Sequence, residues 1–211
     1  MGGVDWRPLR GTDNRQLNEA RLQAHHAVQW LARAARAYVS PRPDDSHTNL
    51  SWIDAFDGFT TQRLKDDLDL GLRIADLTLV LMGEGTVRGQ SYPLNERSDT
   101  NARKWLGEQL GAKGLDANAL DAPPPYKIPP HAIGNGAAYR VTKLALALDE
   151  LAAWFANAHR SLEGIKRQMI ERKLAASPVR CWPHHFDIAT LIPLDESNIK
   201  KVRTVNVGFS P

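Results

Sequence analysis

Across 211 residues the chain carries 27 Lys+Arg against 24 Asp+Glu, a formal charge of +3, and 42% of its residues are apolar. So small and scattered a surplus argues against a nucleic-acid binder, while the apolar fraction is enough for the buried core of one domain spanning 1–211. A lone cysteine, Cys181, excludes an internal disulfide and any multi-cysteine metal site. The sequence shows no secretion-type start and no run of about 18 apolar residues, which reads as a cytoplasmic protein off the membrane.

Asp13 or Asn14 can cap a helix running to about Val39, because Leu17, Ala20, Ala24, Val28, Leu31, Ala35 and Tyr38 recur at helical spacing. His25 and His26 fall off that stripe on opposite flanks and are expected at the surface. Pro41 and Pro43 end the helix, and the loop that follows gathers Asp44, Asp45, Ser46, His47 and Asn49.

From Leu68 the even positions to Ile74 are apolar, and after Asp76 the apolar phase moves to Leu77, Leu79 and Leu81, which predicts strand with a bulge or break near Asp76. A turn at Gly83-Glu-Gly85 leads into a return strand from Thr86 to Leu94. The glycines of that turn have the wrong spacing for a phosphate loop and join strand to strand. Ser98 starts a short helix over Ala102, Trp105, Leu106 and Leu110.

Five prolines between Ala122 and Gly136 make that stretch a surface connector, with His131 expected in solvent. Thr142 to about Leu174 carries the longest amphipathic pattern, with His159 on the margin of its apolar face. Val179 to Leu194 and Val202 to Phe209 read as two strands joined by a polar turn at Asp195-Glu-Ser-Asn198. The predicted fold is therefore α+β, an antiparallel sheet built from hairpins with amphipathic helices packed against it.

The richest concentration of chemistry is Ser177-Pro-Val-Arg-Cys-Trp-Pro-His-His-Phe-Asp-Ile-Ala-Thr-Leu-Ile192. In an extended strand His185 and Asp187 share one face and His184 takes the other, so Asp187 could orient His185 as a general base, whereas a backbone turned at Pro183 would let both histidines converge. The same pair could equally make a structural hydrogen bond. His47, His184 and His185 form the candidate set for a divalent metal, which His and Asp would hold, and their spacing matches no diagnostic pattern. Asp45, His47, Asn49, Trp52 and Trp182 are the binding candidates, with the two tryptophans as pocket walls. Cys181 reads as a small buried thiol rather than a nucleophile.

Four segments together resemble an uncharacterised group of bacterial proteins classed as a domain of unknown function: the stretch from Ser177 to Ala189, the loop from Asp44 to Leu50, the strand from Leu72 to Leu79, and Pro130-His-Ala-Ile-Gly-Asn-Gly-Ala-Ala138. The resemblance covers most of the chain and implies no activity. Members of that group look longer, with more strand and aromatic residues beyond the point matching Pro211, which implies a C-terminal continuation that could hold further site residues. More divergent proteins of that type share the Ser-Pro-Val start and the Phe-Asp pair but lack the paired histidines.

Two functions follow. One is an enzyme with a His/Asp small-molecule or metal site. The other is a non-catalytic ligand-binding or protein-interaction module, as a homo-oligomer or with a C-terminal partner segment. An enzyme site should draw His47, His184, His185 and Asp187 to one cavity, whereas scaffolding would spread them among separate hydrogen bonds.

Overall fold

In the computed structural model, which describes residues 6–83, 86–193 and 204–211, three α-helices pack against two antiparallel sheets. Helix α1 spans Asn14–Tyr38, and Asp13 caps it by accepting from the backbone N–H groups of Arg15 and Gln16. Strands β1 (Ser51–Ile53), β2 (Gly58–Thr60), β3 (Asp69–Arg73), β4 (Thr78–Gly83) and β5 (Thr86–Pro93) form a meander in sequence order. Helix α2 (Asp99–Ala112) starts at a capping box of Ser98 and Asn101. Helix α3 (Ala145–Glu171) leads to β6 (Arg180–Trp182), β7 (Asp187–Pro193) and β8 (Thr204–Phe209), a second sheet in that order. The expected α+β class with hairpin-built antiparallel sheets is what the chain adopts. Glu84 and Gly85 of one expected turn, the turn at 195–198 and the start of the last strand at 202–203 lie outside the described residues.

Three hairpins share one loop plan. Ile53 pairs with Gly58, Arg73 with Thr78 and Trp182 with Asp187, which leaves four residues in each loop. In each loop the last residue is left-handed: Asp57 at φ 55°, Leu77 at 43° and Phe186 at 59°. The apolar phase change near Asp76 is therefore a tight turn, and the run expected as one strand over 179–194 is broken at 183–186. A bulky residue with positive φ costs about 1–2 kcal/mol. Leu77 and Phe186 are both fully buried, so the core contact offsets that cost.

The two sheets join through Leu50 and Cys181, each of which donates its N–H to the other's carbonyl, at 3.0 and 2.9 Å. Phe155 on α3 sits where they meet. Its ring lies 6.0 Å from Trp52 and 4.9 Å from Phe59 of the first sheet, 5.0 Å from Phe186 in the β6–β7 loop and 6.2 Å from Phe209 of the second sheet. Among the described residues no helix is long and apolar enough to cross a membrane.

Candidate functional site

The 183–186 loop is fixed by the buried polar face of α1. His25 and Gln29 both donate from Nε2 to the Pro183 carbonyl, each at 2.9 Å, and Tyr126 donates its hydroxyl to Gln29 Oε1 at 2.9 Å. The His25 ring stacks on Phe186 at 5.3 Å with 10° between planes. Burial pushes the His25 pKa down from 6.5 to about 4, so the imidazole is neutral and its Nε2 carries the proton.

The rest of that face works the same way. Gln23 Oε1 accepts from the Arg140 N–H at 2.9 Å, and His26 Nε2 donates to the Pro129 carbonyl at 3.2 Å. His25 and His26 are thus buried, against expectation, because the proline connector and the 183–186 loop fold back over them. His131 is not in solvent either: Nε2 donates to Glu19 Oε1 at 3.0 Å while Nδ1 accepts from the Ile133 N–H at 3.2 Å. Both ring nitrogens are committed to holding the connector.

Of the two expected arrangements the chain takes the turned one: the loop that starts at Pro183 brings His184 and His185 together, with ring centroids 4.1 Å apart. His184 packs on Tyr126 at 5.4 Å, and burial, then the neighbouring His185, lowers its pKa. His185 is exposed in the loop and Asp187 opens β7, so the two do not share a strand face. Asp187 is half-buried, and its Oδ1 is sheltered with no hydrogen-bond partner among the described residues. Asp45, exposed and left-handed at φ 55°, adds a favourable charge for a protonated His184.

The other candidates go elsewhere. His47 is buried in the short helical turn Ser46–Thr48, where its Nδ1 accepts from the Arg42 N–H at 3.3 Å, and Asn49 is buried beside it in sequence. Trp52 is a core residue rather than a pocket wall, and its Nε1 donates to Asp54 Oδ1 at 2.9 Å. Trp182 is half-buried at the end of β6. His159 lies at the core margin as expected, 4.0 Å from Asp54 Oδ1 and with burial lowering its pKa. Cys181 is fully buried, which raises its thiol pKa well above the usual value and disfavours the thiolate.

Among the described residues no group of three or more His, Cys, Asp or Glu side chains is placed to hold a metal ion. His47, His184 and His185 are not gathered into such a group, and His47 Nδ1 accepts from the Arg42 N–H.

The larger concavities lie on another face. A groove of about 610 Å³ runs between the start of α1 and α3, over Leu17, Arg21 and Leu151. A second, of about 430 Å³, is walled by Trp6, Leu9, Leu162, Ile165 and Val207. Trp154 and Phe209 line both, with rings stacked at 5.5 Å and 12°, so this stack is the saddle between them.

One wall is the segment before α1, strapped along α3. Asn157 Oδ1 accepts from the Arg7 N–H at 2.8 Å and its Nδ2 donates to the Arg7 carbonyl at 2.9 Å. Glu150 accepts from the Thr12 N–H at 2.7 Å, which lowers its pKa, and Arg10 pairs with Asp149 at 2.9 Å. No local pattern marks this face, since Trp154 sits one position off the apolar stripe of α3 and its neighbours in the grooves come, beyond its own helix, from three distant segments. No protein-family model, curated protein or solved structure matches this chain.

Proposed function

We propose that this chain is a non-catalytic binding module whose ligand surface is the pair of grooves meeting at Trp154 and Phe209. The observation that carries this reading is their form: two concavities of about 610 and 430 Å³, mostly apolar in lining, joined at one aromatic stack. Ligand sites have this size and composition, with a few polar groups to orient the occupant. Here Asn14, Asn18 and Arg21 supply them. The separate anchoring of His25, His26, His47 and His131 supports the same reading, because those imidazoles hold loops in place.

The test is a thermal-shift titration with the apolar anion 8-anilinonaphthalene-1-sulfonate. It should raise the melting temperature of the wild type, and Trp154→Ala and Arg21→Glu should each reduce that shift. The double variant His184→Ala/His185→Ala should leave it unchanged. A shift indifferent to both groove variants would refute the reading.

A second reading rests on the sheltered Asp187 Oδ1 near the His184–His185 pair, which would receive a hydrogen-bond donor of a small molecule. A shift abolished by the double histidine variant alone would transfer the site there.

A further inference from the structure

The outer edge of β8 borders the smaller groove, and the direction of its backbone groups follows from its neighbours. Leu191 donates its N–H to Ser177 Oγ at 2.9 Å and accepts from the Ser177 N–H at 2.8 Å, so both of its main-chain groups point away from β8. In antiparallel pairing these groups alternate sides from one residue to the next. Thr190 and Ile192 therefore face β8, opposite Val207 and Val205. It follows that Val205, Val207 and Phe209 bond to β7, while Thr204, Asn206 and Gly208 turn their N–H and C=O groups outward. Those three residues are exposed, β8 ends its sheet, and no backbone partner meets their outward groups among the described residues.

Exposed edges are usually guarded by charge, proline or a bulge. The strand Thr204-Val-Asn-Val-Gly-Phe209 has neither a charged residue nor a proline, and its pairing with β7 runs without a register shift. The groove beside it takes Val207, Gly208 and Phe209 of β8 but no residue of β7, so it lies alongside the open edge and not over the sheet. Its far wall is the strap, where Trp6 is 58% and Leu9 44% exposed. Among the described residues the charged side chains lining the two grooves are those of Arg7 and Arg21, and no Asp or Glu side chain lines either, while Ser210 and Pro211 close the larger one. Arg7 is paired with Asp57, whereas Arg21 bonds Asn18 Oδ1 at 3.1 Å and no carboxylate among the described residues.

We propose that the open edge of β8 docks an extended, carboxylate-bearing peptide segment of another protein, which adds a fourth strand to the β6–β8 sheet. The proposal rests on the reading of these grooves as a binding surface and names its occupant. Main-chain bonds to Thr204, Asn206 and Gly208 hold the segment, alternate apolar side chains enter the groove toward Leu162 and Ile165, and a carboxylate reaches Arg21.

The test uses a fluorescein-labelled short peptide alternating valine and glutamate, read by anisotropy, with 8-anilinonaphthalene-1-sulfonate fluorescence read in parallel. Asn206→Pro removes one outward N–H and no bond to β7, a position where an edge strand tolerates proline. It should weaken peptide binding at least tenfold, leave the naphthalene probe's response unchanged and keep the wild-type circular dichroism spectrum. A peptide N-methylated on its pairing edge should fail to bind the wild type, which tests the same bonds with the protein unaltered.

Equal peptide affinity in Asn206→Pro and wild type, or binding of the naphthalene probe without the peptide, would overturn strand addition and leave the groove reading standing. Failure of both probes would sink the groove reading itself. A wild-type dimer that Asn206→Pro dissociates would give the edge to a second copy and overturn the peptide proposal.

Discussion

His25 of α1 lies flat against Phe186, the left-handed residue that closes the β6–β7 loop, and from the same ring donates a hydrogen bond to Pro183 at the loop's other end. One neutral imidazole therefore fixes both ends of a four-residue turn. Its folded pKa of about 4 lies below the ordinary 6.5, so between those values the unfolded chain binds the extra proton. Stability from this group is complete above about pH 6.5 and is lost as pH falls toward about 4, by on the order of 2–3 kcal/mol. Urea denaturation across that window should show the loss, and His25→Gln, which keeps a donor but does not titrate, should flatten it. An unchanged acid limb in His25→Gln would contradict the assignment.

The left-handed Phe186 reverses a familiar ranking. Glycine is ordinarily a worse replacement than alanine, but at φ 59° a Cβ is itself a cost of about 1–2 kcal/mol. Both substitutions empty a fully buried site, a loss of about 3–5 kcal/mol. Phe186→Gly should therefore be more stable than Phe186→Ala by roughly 1 kcal/mol in denaturant midpoints at constant m. The opposite order would mean that the loop changes conformation.

These two residues also mark the limit of what the sequence disclosed. Helices α1 and α3 were legible because Leu17 to Tyr38 and Leu144 to Met169 repeat at helical spacing, and Ser98 announced α2 as a cap. The phase change at Asp76 marked a chain reversal without specifying it. The loop at 183–186 was hidden, since the usual sign of a left-handed turn is glycine or asparagine and here it is a phenylalanine held by the core. Periodicity also identifies a single buried face per helix, so it placed His25 and His26 at the surface, whereas the connector and loop cover the second face. The grooves at Trp154 are built from 6–9, 14–21, 151–165 and 207–211, a convergence that no local pattern encodes.

Cys181 gives a chemical check on that packing. Being fully buried with its thiol pKa raised, it should stay unmodified by 5,5′-dithiobis(2-nitrobenzoate) at pH 8 in the native protein and react once denaturant unfolds the chain. Rapid native modification would show that the Leu50–Cys181 junction between the sheets opens.

Asn157 tests the strap. Its amide satisfies both main-chain groups of Arg7, and it is buried itself, so Asn157→Ala should cost about 1–3 kcal/mol. The freed segment should be cleaved by trypsin after Arg10, which precedes Gly11, sooner than in the wild type, while α1 and α3 stay resistant. Unaltered cleavage would mean that Glu150 and Asp149 suffice to hold it.

Chemical-shift mapping of isotope-labelled protein with 8-anilinonaphthalene-1-sulfonate would locate directly where an apolar anion binds. The largest shifts are expected at Leu17, Arg21, Trp154, Leu162 and Phe209, the residues that line the joined grooves. Shifts centred on Tyr126, His184, His185 and Asp187, with the Trp154 indole unmoved, would contradict it and place the ligand surface at the loop over α1.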